Sequence, residues 1–402
     1  MGVLCGDCKV ILRSLNGASV DLAYLDPPFF TQKIHSLVTR DNTAEYSFED
    51  RWTSLEDYLA FMREVLFQCK RVLKDTGSIF LHCDKSASHH LRVLLDQVFG
   101  AQNFQSEIIW AYRRWSSSKK GLLNAHQTIY FYSKTSHFKF NTLYTDYSPT
   151  TNIDQILQAR VRNEMGKAVY RRDQNGDIVI GKEKKGVPLS DIWNIPFLNP
   201  KAKERVGYPT QKPILLLERI IEIATDAGDC VLDPFCGGGT TLVAAKLLER
   251  AHIGIDISSD AVRLSEERLR QPVKSESQLL SVGEEGFLEK SEYERRMLKA
   301  LGAVPVERNR GIDGFLRDFI NGHPVSVRIQ KEYEDIETAK RRLLSASKRK
   351  KCALMILVRT KRDGNYSFFD WADENLLVID SYDLAINSWL ESRGYSTVES
   401  LT

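Results

Sequence analysis

The run Val231-Leu232-Asp233-Pro234-Phe235-Cys236-Gly237-Gly238-Gly239-Thr240-Thr241 joins three signals in one place. A short apolar strand, Cys230 to Leu232, ends in an acid. Three glycines follow, and they open a helical run from Thr240 to Leu248. Glycines at a strand-to-helix turn let a ligand approach the main chain, and a helix N-terminus favours negative charge. Further on, His252-Ile253-Gly254-Ile255-Asp256 reads as a second buried strand ending in an acid. An acid in that place takes ribose hydroxyls, so a nucleoside cofactor is implied. The glycine spacing departs from the G-x-G-x-x-G of dinucleotide sites.

Working outward, the chain alternates. Strand-like runs fall near residues 20–25, 78–82, 107–112, 127–132, 230–232 and 253–256. Helical runs fall near 54–73, 86–98, 213–226, 240–249 and 258–270. Ser54-Leu55-Glu56-Asp57 reads as a capped helix start. Lys74-Asp75-Thr76-Gly77 and Ala227-Gly228-Asp229 read as turns feeding strands. This order predicts an α/β fold, a mostly parallel sheet with helices on both faces. Ligands in such sheets bind at the carboxyl ends of strands.

A second loop of that kind follows the strand Val20-Asp21-Leu22-Ala23-Tyr24-Leu25. It reads Asp26-Pro27-Pro28-Phe29. Two prolines remove two N–H donors and fix φ. Carbonyls left free, the Asp26 carboxylate and the Phe29 ring together suit the exocyclic amine of a nucleobase drawn out of its stack. Both loops leave strands, so they are expected to meet at one edge although about 200 positions separate them.

The chain resembles the β group of S-adenosylmethionine-dependent DNA amino-methyltransferases, over about residues 1 to 270. That group carries D-P-P-[FY] N-terminal and its cofactor motif C-terminal, as here. Gly6-Asp7, Gly77 to His82, Glu107 to Trp110, His126 to Tyr132 and Tyr208-Pro209-Thr210-Gln211-Lys212-Pro213 match further segments in order. The family often has His where this chain has Tyr208. The resemblance implies a Rossmann-like class I methyltransferase fold with permuted motif order, S-adenosyl-L-methionine as cofactor and double-stranded DNA as substrate. It implies catalysis by Asp26, Pro27, Pro28 and Phe29. It implies cofactor contacts from Asp7, Thr210, Gln211, Lys212, Asp233, Phe235, Gly237, Gly239, Thr240 and Asp256, with Asp7 near the adenine and Thr210 and Lys212 facing the methionine end. No metal is expected. The expected reaction is methyl transfer to N6 of adenine, within a restriction-modification or epigenetic system. N4-cytosine transfer uses the same amine chemistry; D-P-P rather than S-P-P leans towards adenine. Glutamine methyltransferases usually carry Asn where this chain has Asp26. A non-catalytic DNA-binding protein with a vestigial site is the reading from another class.

The 402 residues point to two domains, 1–272 and 286–402, joined by a linker over about 271–285. A net charge of +3 permits nucleic-acid binding without requiring it. No apolar run is long enough to span a bilayer and no secretory leader is seen. Seven cysteines, an odd number, fit a reduced cytoplasmic protein. Cys5 and Cys8 form one C-x-x-C without the second pair that a zinc site needs. Monomer and homodimer are both open.

Two stretches interrupt the alternation. Residues 31–53, with Gln32, Lys33, His35, Arg40, Arg51 and Trp52, are expected to form a mobile loop beside the base pocket. Residues 113–206 interleave Arg113, Arg114, Lys119, Lys120, Arg160, Arg162, Arg171, Arg172 and Lys182 to Lys185 with Trp115, Tyr144, Tyr147, Tyr170 and Trp193. Basic groups neutralise phosphates and aromatics stack on bases, so this is the expected target-recognition insertion. The C-terminal part resembles the PD-(D/E)xK nuclease fold, with Asp313 as first acid. There Val327-Arg328-Ile329-Gln330 puts Gln330 in place of the family's Lys, so a degenerate nuclease-like module that binds DNA or a partner is expected. Lys348-Arg349-Lys350-Lys351 fits phosphate binding or plain solvated surface.

Overall fold

The computed structural model describes residues 2–38, 45–112, 121–145, 147, 158–181, 185–199, 202–275, 290–307, 309–362, 369–373 and 375–395. Arg40, Arg113, Arg114, Trp115, Lys119, Lys120 and Lys182 to Lys184 lie outside them, as does most of the expected linker. The chain divides into two compact units, 1–283 and 284–402.

In the first unit the elements run β1 (Gly2–Cys5), α1 (Cys8–Ser14), β2 (Val20–Leu25), β3 (Lys33–Val38), β4 (Glu45–Asp50), α2 (Leu55–Val72), β5 (Leu73–Cys83), α3 (Ser88–Phe99), β6 (Phe104–Ala111) and β7 (His126–Ser133). Four short strands follow, β8 (Tyr144–Thr145), β9 (Arg160–Arg162), β10 (Ala168–Tyr170) and β11 (Val187–Pro188). Then come β12 (Ile192–Asn194), α4 (Ile214–Ala224), β13 (Cys230–Asp233), α5 (Thr240–Leu247), β14 (Ala251–Asp256) and α6 (Ser259–Arg270).

Among the described residues the main sheet has the order β1-β14-β13-β2-β5-β7-β6-β12. All its neighbours pair in parallel except β7, which runs antiparallel to β5 and β6. Period-two alternation divides each central strand between two cores. Ala23, Leu25, Ile79, Leu81 and Leu232 pack with Leu12 of α1, Met62 and Leu66 of α2 and Leu95 of α3. Leu22, Tyr24, Phe80 and Val231 face the other way, onto Leu217 and Ile221 of α4 and Val243 and Ala244 of α5. Both faces are thus covered, which explains why these strands read as continuous apolar runs. Ser54 caps α2 as expected, its side chain accepting from the Asp57 N–H at 3.1 Å.

Three local expectations are corrected. Lys74 to Gly77 is not a free turn before β5 but lies inside it, where the register with β2 jumps from Val20↔Leu73 to Leu22↔Ser78. The Lys74 ammonium there donates to buried Asp21, at 2.8 Å to Oδ2. Lys33–Val38 and Glu45–Asp50 are not loop; as β3 and β4 they pair antiparallel, in register from Lys33↔Asp50. Trp193 is core: it is 2% exposed, its Nε1–H donates to the Ser190 carbonyl at 2.8 Å, and the Arg219 guanidinium lies over its ring. It is therefore unavailable to stack on a base.

The second unit holds α7 (Glu292–Ala300), β15 (Ala303–Pro305), β16 (Gly314–Leu316), β17 (Val325–Ile329), α8 (Ile336–Lys350), β18 (Leu354–Arg359), β19 (Phe369–Asp373), β20 (Leu376–Asp380) and α9 (Tyr382–Ser392). Its sheet order is β15-β16-β17-β18-β20-β19. Asp313 is buried and accepts from Lys290 at 2.7 Å, from Lys331 at 3.1 Å and from the Ile329 N–H at 2.8 Å. The two ammonium groups hold its carboxyl below the usual carboxylate range against the opposing effect of burial. Gln330 is buried and accepts from the Thr360 N–H at 3.2 Å. Arg328 is buried against Glu334 in a two-point contact of 2.7 and 2.8 Å.

Candidate active site

Four neighbouring strands, β1, β14, β13 and β2, run parallel and end at one edge of the sheet. Each delivers an acid there. Asp7 follows β1 by two positions, Asp256 and Asp233 close β14 and β13, and Asp26 follows β2. The register sets them side by side: Cys5 pairs with Asp256, Asp233 with Gly254 and Leu232 with Ala23. The loops after β2 and β13 thus converge as their strand contexts predict.

All four acids line one cavity of about 570 Å³. Pro27, Pro28, Phe29, Thr210, Gln211, Lys212, Phe235, Gly237 and Thr240 line it too. Gly239 does not: a Cβ there would lie 2.6 Å from Ser265 Oγ, and its φ of +74° is left-handed. That glycine is required by the close approach of α6 rather than by the cavity. Gly237 has the same logic in part, since a Cβ on it would meet Tyr208 Cε1 at 2.7 Å. The loop is held from α6, where Ser265 Oγ–H donates to the Gly237 carbonyl at 2.8 Å and Arg268 donates to the Gly238 carbonyl.

The acids differ in their partners. Asp7 caps α1, accepting from the Lys9 N–H at 2.8 Å. Asp256 accepts from the N–H groups of Gly237 and Ser258, both at 2.9 Å. Asp233 accepts from the Phe235 N–H at 3.0 Å. Asp26 bonds the Lys212 ammonium through Oδ2, while its buried Oδ1 has no hydrogen-bond partner among the described residues. Burial pushes the carboxyls of Asp26 and Asp256 upward, and that of Asp233 to about 7. Lys212 counteracts the rise at Asp26. Several carboxylates around one cavity, with Lys212 bonded to one of them, make a lining suited to a cation.

Behind Asp26 lies a buried chain that the sequence did not single out. His82 is fully buried on β5 and its Nε2 stands 2.9 Å from Gln127 Oε1, an acceptor, so that nitrogen carries the proton. Its Nδ1 then accepts from the Tyr24 hydroxyl at 2.9 Å. Burial and the nearby Lys212 keep the ring neutral, far below its ordinary pKa. The His82 ring also lies 5.8 Å from that of Phe29. Only a lone histidine in an apolar strand marked it beforehand.

The Tyr208 to Pro213 segment reaches the site, but two of its polar groups are taken within the protein. Gln211 accepts from the Val206 N–H at 3.0 Å and donates to the Glu204 carbonyl at 2.7 Å. Lys212 reaches Asp26 and the Thr210 carbonyl.

The family model described as DNA methylase (N6_N4_Mtase) matches residues 20–267, more than half of the chain. The chain belongs to this DNA methylase family. The Type II methyltransferase M.HpaI of Haemophilus parainfluenzae is 30% identical over 267 residues, covering 66% of this methylase and 73% of its own length. M.HinfI of Haemophilus influenzae, also a Type II methyltransferase, is 29% identical over 296 residues, 70% and 72% of the two chains. Among solved structures, TTHA0409 of Thermus thermophilus, complexed with S-adenosyl-L-methionine, aligns with 68% of this methylase and 96% of its own chain at 21% identity and a TM-score of 0.40. No helix among the described residues of the methylase is long and apolar enough to cross a membrane.

Proposed function

We propose that this methylase transfers a methyl group from S-adenosylmethionine to N6 of adenine in double-stranded DNA. The observation that carries the reading is Asp26 Oδ1, a buried acceptor without a hydrogen-bond partner among the described residues, in the cavity that the glycine loop and Asp256 also line. The cavity volume and its carboxylates fit a nucleoside that bears a sulfonium and an ammonium group. When bound, S-adenosylmethionine supplies a methyl on a sulfonium, already a good leaving group. Asp256 and Asp7 would hold the nucleoside, Phe235, Gly237 and Thr240 would shape its pocket, and Asp233 would favour its positive charge. Thr210 would lie towards the methionine end.

The protein's part in the reaction is positioning and electrostatics. An aromatic amine is a poor nucleophile because its lone pair is delocalised into the ring. Asp26 Oδ1 and the Pro27 carbonyl would accept its two N–H bonds and favour the pyramidal form with a free lone pair. Phe29 would stack on the flipped base. Lys212 opposes the rise that burial imposes on the Asp26 carboxyl and so favours the ionised form, which accepts rather than donates. D-P-P in the catalytic loop supports adenine over cytosine, by the resemblance stated above.

The exposed Arg160, Arg162, Arg171 and Arg172 of the β9–β10 region support a DNA-recognition role for the insertion within 113–206. For residues 286–402, the pairing of Asp313 with two lysines supports a nuclease-like module that binds rather than cleaves. Incubation with methyl-tritiated S-adenosylmethionine and methylation-free genomic DNA, followed by nucleoside analysis, tests the central reading. Label in N6-methyladenosine supports it. Label only in N4-methylcytosine replaces the base, and no label in DNA refutes it.

A further inference from the structure

Asp50, the last residue of β4, is 1% exposed and collects hydrogen bonds from the loop that carries Phe29. Its Oδ2 accepts from the Phe29 N–H at 3.1 Å, the Thr31 N–H at 2.8 Å and the Thr31 hydroxyl at 2.6 Å. Its Oδ1 accepts from the Phe30 N–H at 3.0 Å and the Trp52 indole N–H at 3.2 Å. Three of these donors are consecutive backbone amides folded round one carboxylate, an anion nest supplied from within the chain. The fold of that backbone is unfavourable by itself: Phe30 and Gln32 sit at φ of +62° and +60°, in the left-handed region that side chains disfavour. Tyr58 of α2 adds a second hold, its hydroxyl donating to the Pro28 carbonyl at 2.9 Å.

The same residue ends the hairpin. Asp50 pairs in register with Lys33, and His35 and Phe48 of that hairpin, stacked at 5.0 Å, line the cavity. One carboxylate therefore joins two walls, the Asp26-to-Phe29 loop and the β3–β4 hairpin.

We infer that Asp50 is a positioning residue for methyl transfer: it clamps the Phe29–Thr31 backbone and so sets Asp26 and Phe29 for the target base. The inference rests on the proposed function for the reaction it serves, but the clamp itself is testable without it. Asp50→Asn keeps the shape while replacing one acceptor with a donor that faces donors. Misplacement of a catalytic loop by about 1 Å costs about 100-fold in rate, and a loss of that order is expected in single-turnover transfer to methylation-free genomic DNA. S-adenosylmethionine affinity, measured by calorimetry, is expected to stay within about threefold of wild type, because the clamp holds the base side of the cavity. Amide exchange at Phe29, Phe30 and Thr31 is expected to accelerate while β2 and β13 stay protected.

A transfer rate within about threefold of wild type in folded Asp50→Asn overturns the inference, and so does an equal loss of rate and of cofactor affinity. Should Asp50→Asn fail to fold, Thr31→Val removes one donor and is expected to slow transfer about tenfold with cofactor binding intact; an unchanged rate overturns the inference there too. A wild-type protein that labels no DNA refutes the proposed function instead, and amide exchange then decides the clamp alone.

Discussion

Lys212 and Asp26 stand 186 positions apart in the chain and form an ion pair inside the cavity that both line. The pair joins the Tyr208 to Pro213 segment to the D-P-P-F loop. It leaves Asp26 with one oxygen neutralised and one available. The resemblance implies that Lys212 serves the methionine end of the cofactor, whereas the structure pairs its ammonium with Asp26, the acid proposed to accept from the target amine.

Lys212→Met separates these two roles. Burial raises the Asp26 carboxyl and Lys212 lowers it, so loss of the ammonium lets the pKa climb further. The ionised carboxylate is the stronger acceptor for an amine N–H, so the variant is expected to slow transfer, and most at acidic pH. The acid limb of the single-turnover rate profile is expected to move upward, with S-adenosylmethionine affinity little changed. A weakened affinity with an unmoved profile assigns Lys212 to the cofactor instead.

Asp26→Ala is expected to reduce transfer at least about 1,000-fold while cofactor binding persists, since the loss falls on an interaction made with the target amine. Calorimetry with S-adenosylmethionine beside a tritium transfer assay reads both quantities. Near-normal turnover would remove the D-P-P-F loop from the mechanism.

Asp233 gives a pH dependence with a definite sign. Its folded-state pKa is raised to about 7, mainly by burial, whereas in the unfolded chain the carboxyl releases its proton near about 4. Between these values the folded state binds more protons, so stability contributed here is present at low pH and falls as pH rises through that window, by at most about 4 kcal/mol. Asp233→Asn is expected to flatten this slope in denaturant melts at pH 5 and pH 8. A cationic cofactor favours the ionised form, so wild-type affinity is expected to rise across pH 6 to 8 with release of a proton, and the variant to lack that release.

Gly237 and Tyr208 are expected to be energetically coupled. A methyl on Gly237 would press on the Tyr208 ring and also sit at a φ of +49°. Gly237→Ala is expected to cost about 1–3 kcal/mol in stability and to weaken cofactor binding. In the Tyr208→Ala background part of that cost should vanish, because the ring it meets is gone; a fully additive double-mutant cycle would contradict the packing account.

Much of this was legible in the chain because both halves of the site announce themselves locally. Acids that close apolar runs, two prolines after Asp26 and three glycines after Asp233 each have a backbone meaning that survives without tertiary context. Parallel pairing then forces Asp26 and Asp233 to one edge. What stayed hidden depends on distant partners. Asp50 looks like an ordinary acid after an alternating strand until Phe29, Phe30 and Thr31 fold round it. Trp193 looks like a stacking aromatic until the sheet covers it, and Lys74 to Gly77 reads as a turn until Asp21 draws Lys74 of β5 against β2. Gly239 resembles a ligand-contacting glycine, but the space it leaves belongs to Ser265.

The most direct test is single-molecule sequencing of genomic DNA from a methylation-free bacterial host expressing this chain, beside an Asp26→Ala control. N6 transfer through Asp26 predicts N6-methyladenine within a short recurring motif with the intact protein and none with the control. Unmodified DNA from cells containing folded protein that binds S-adenosylmethionine would contradict it.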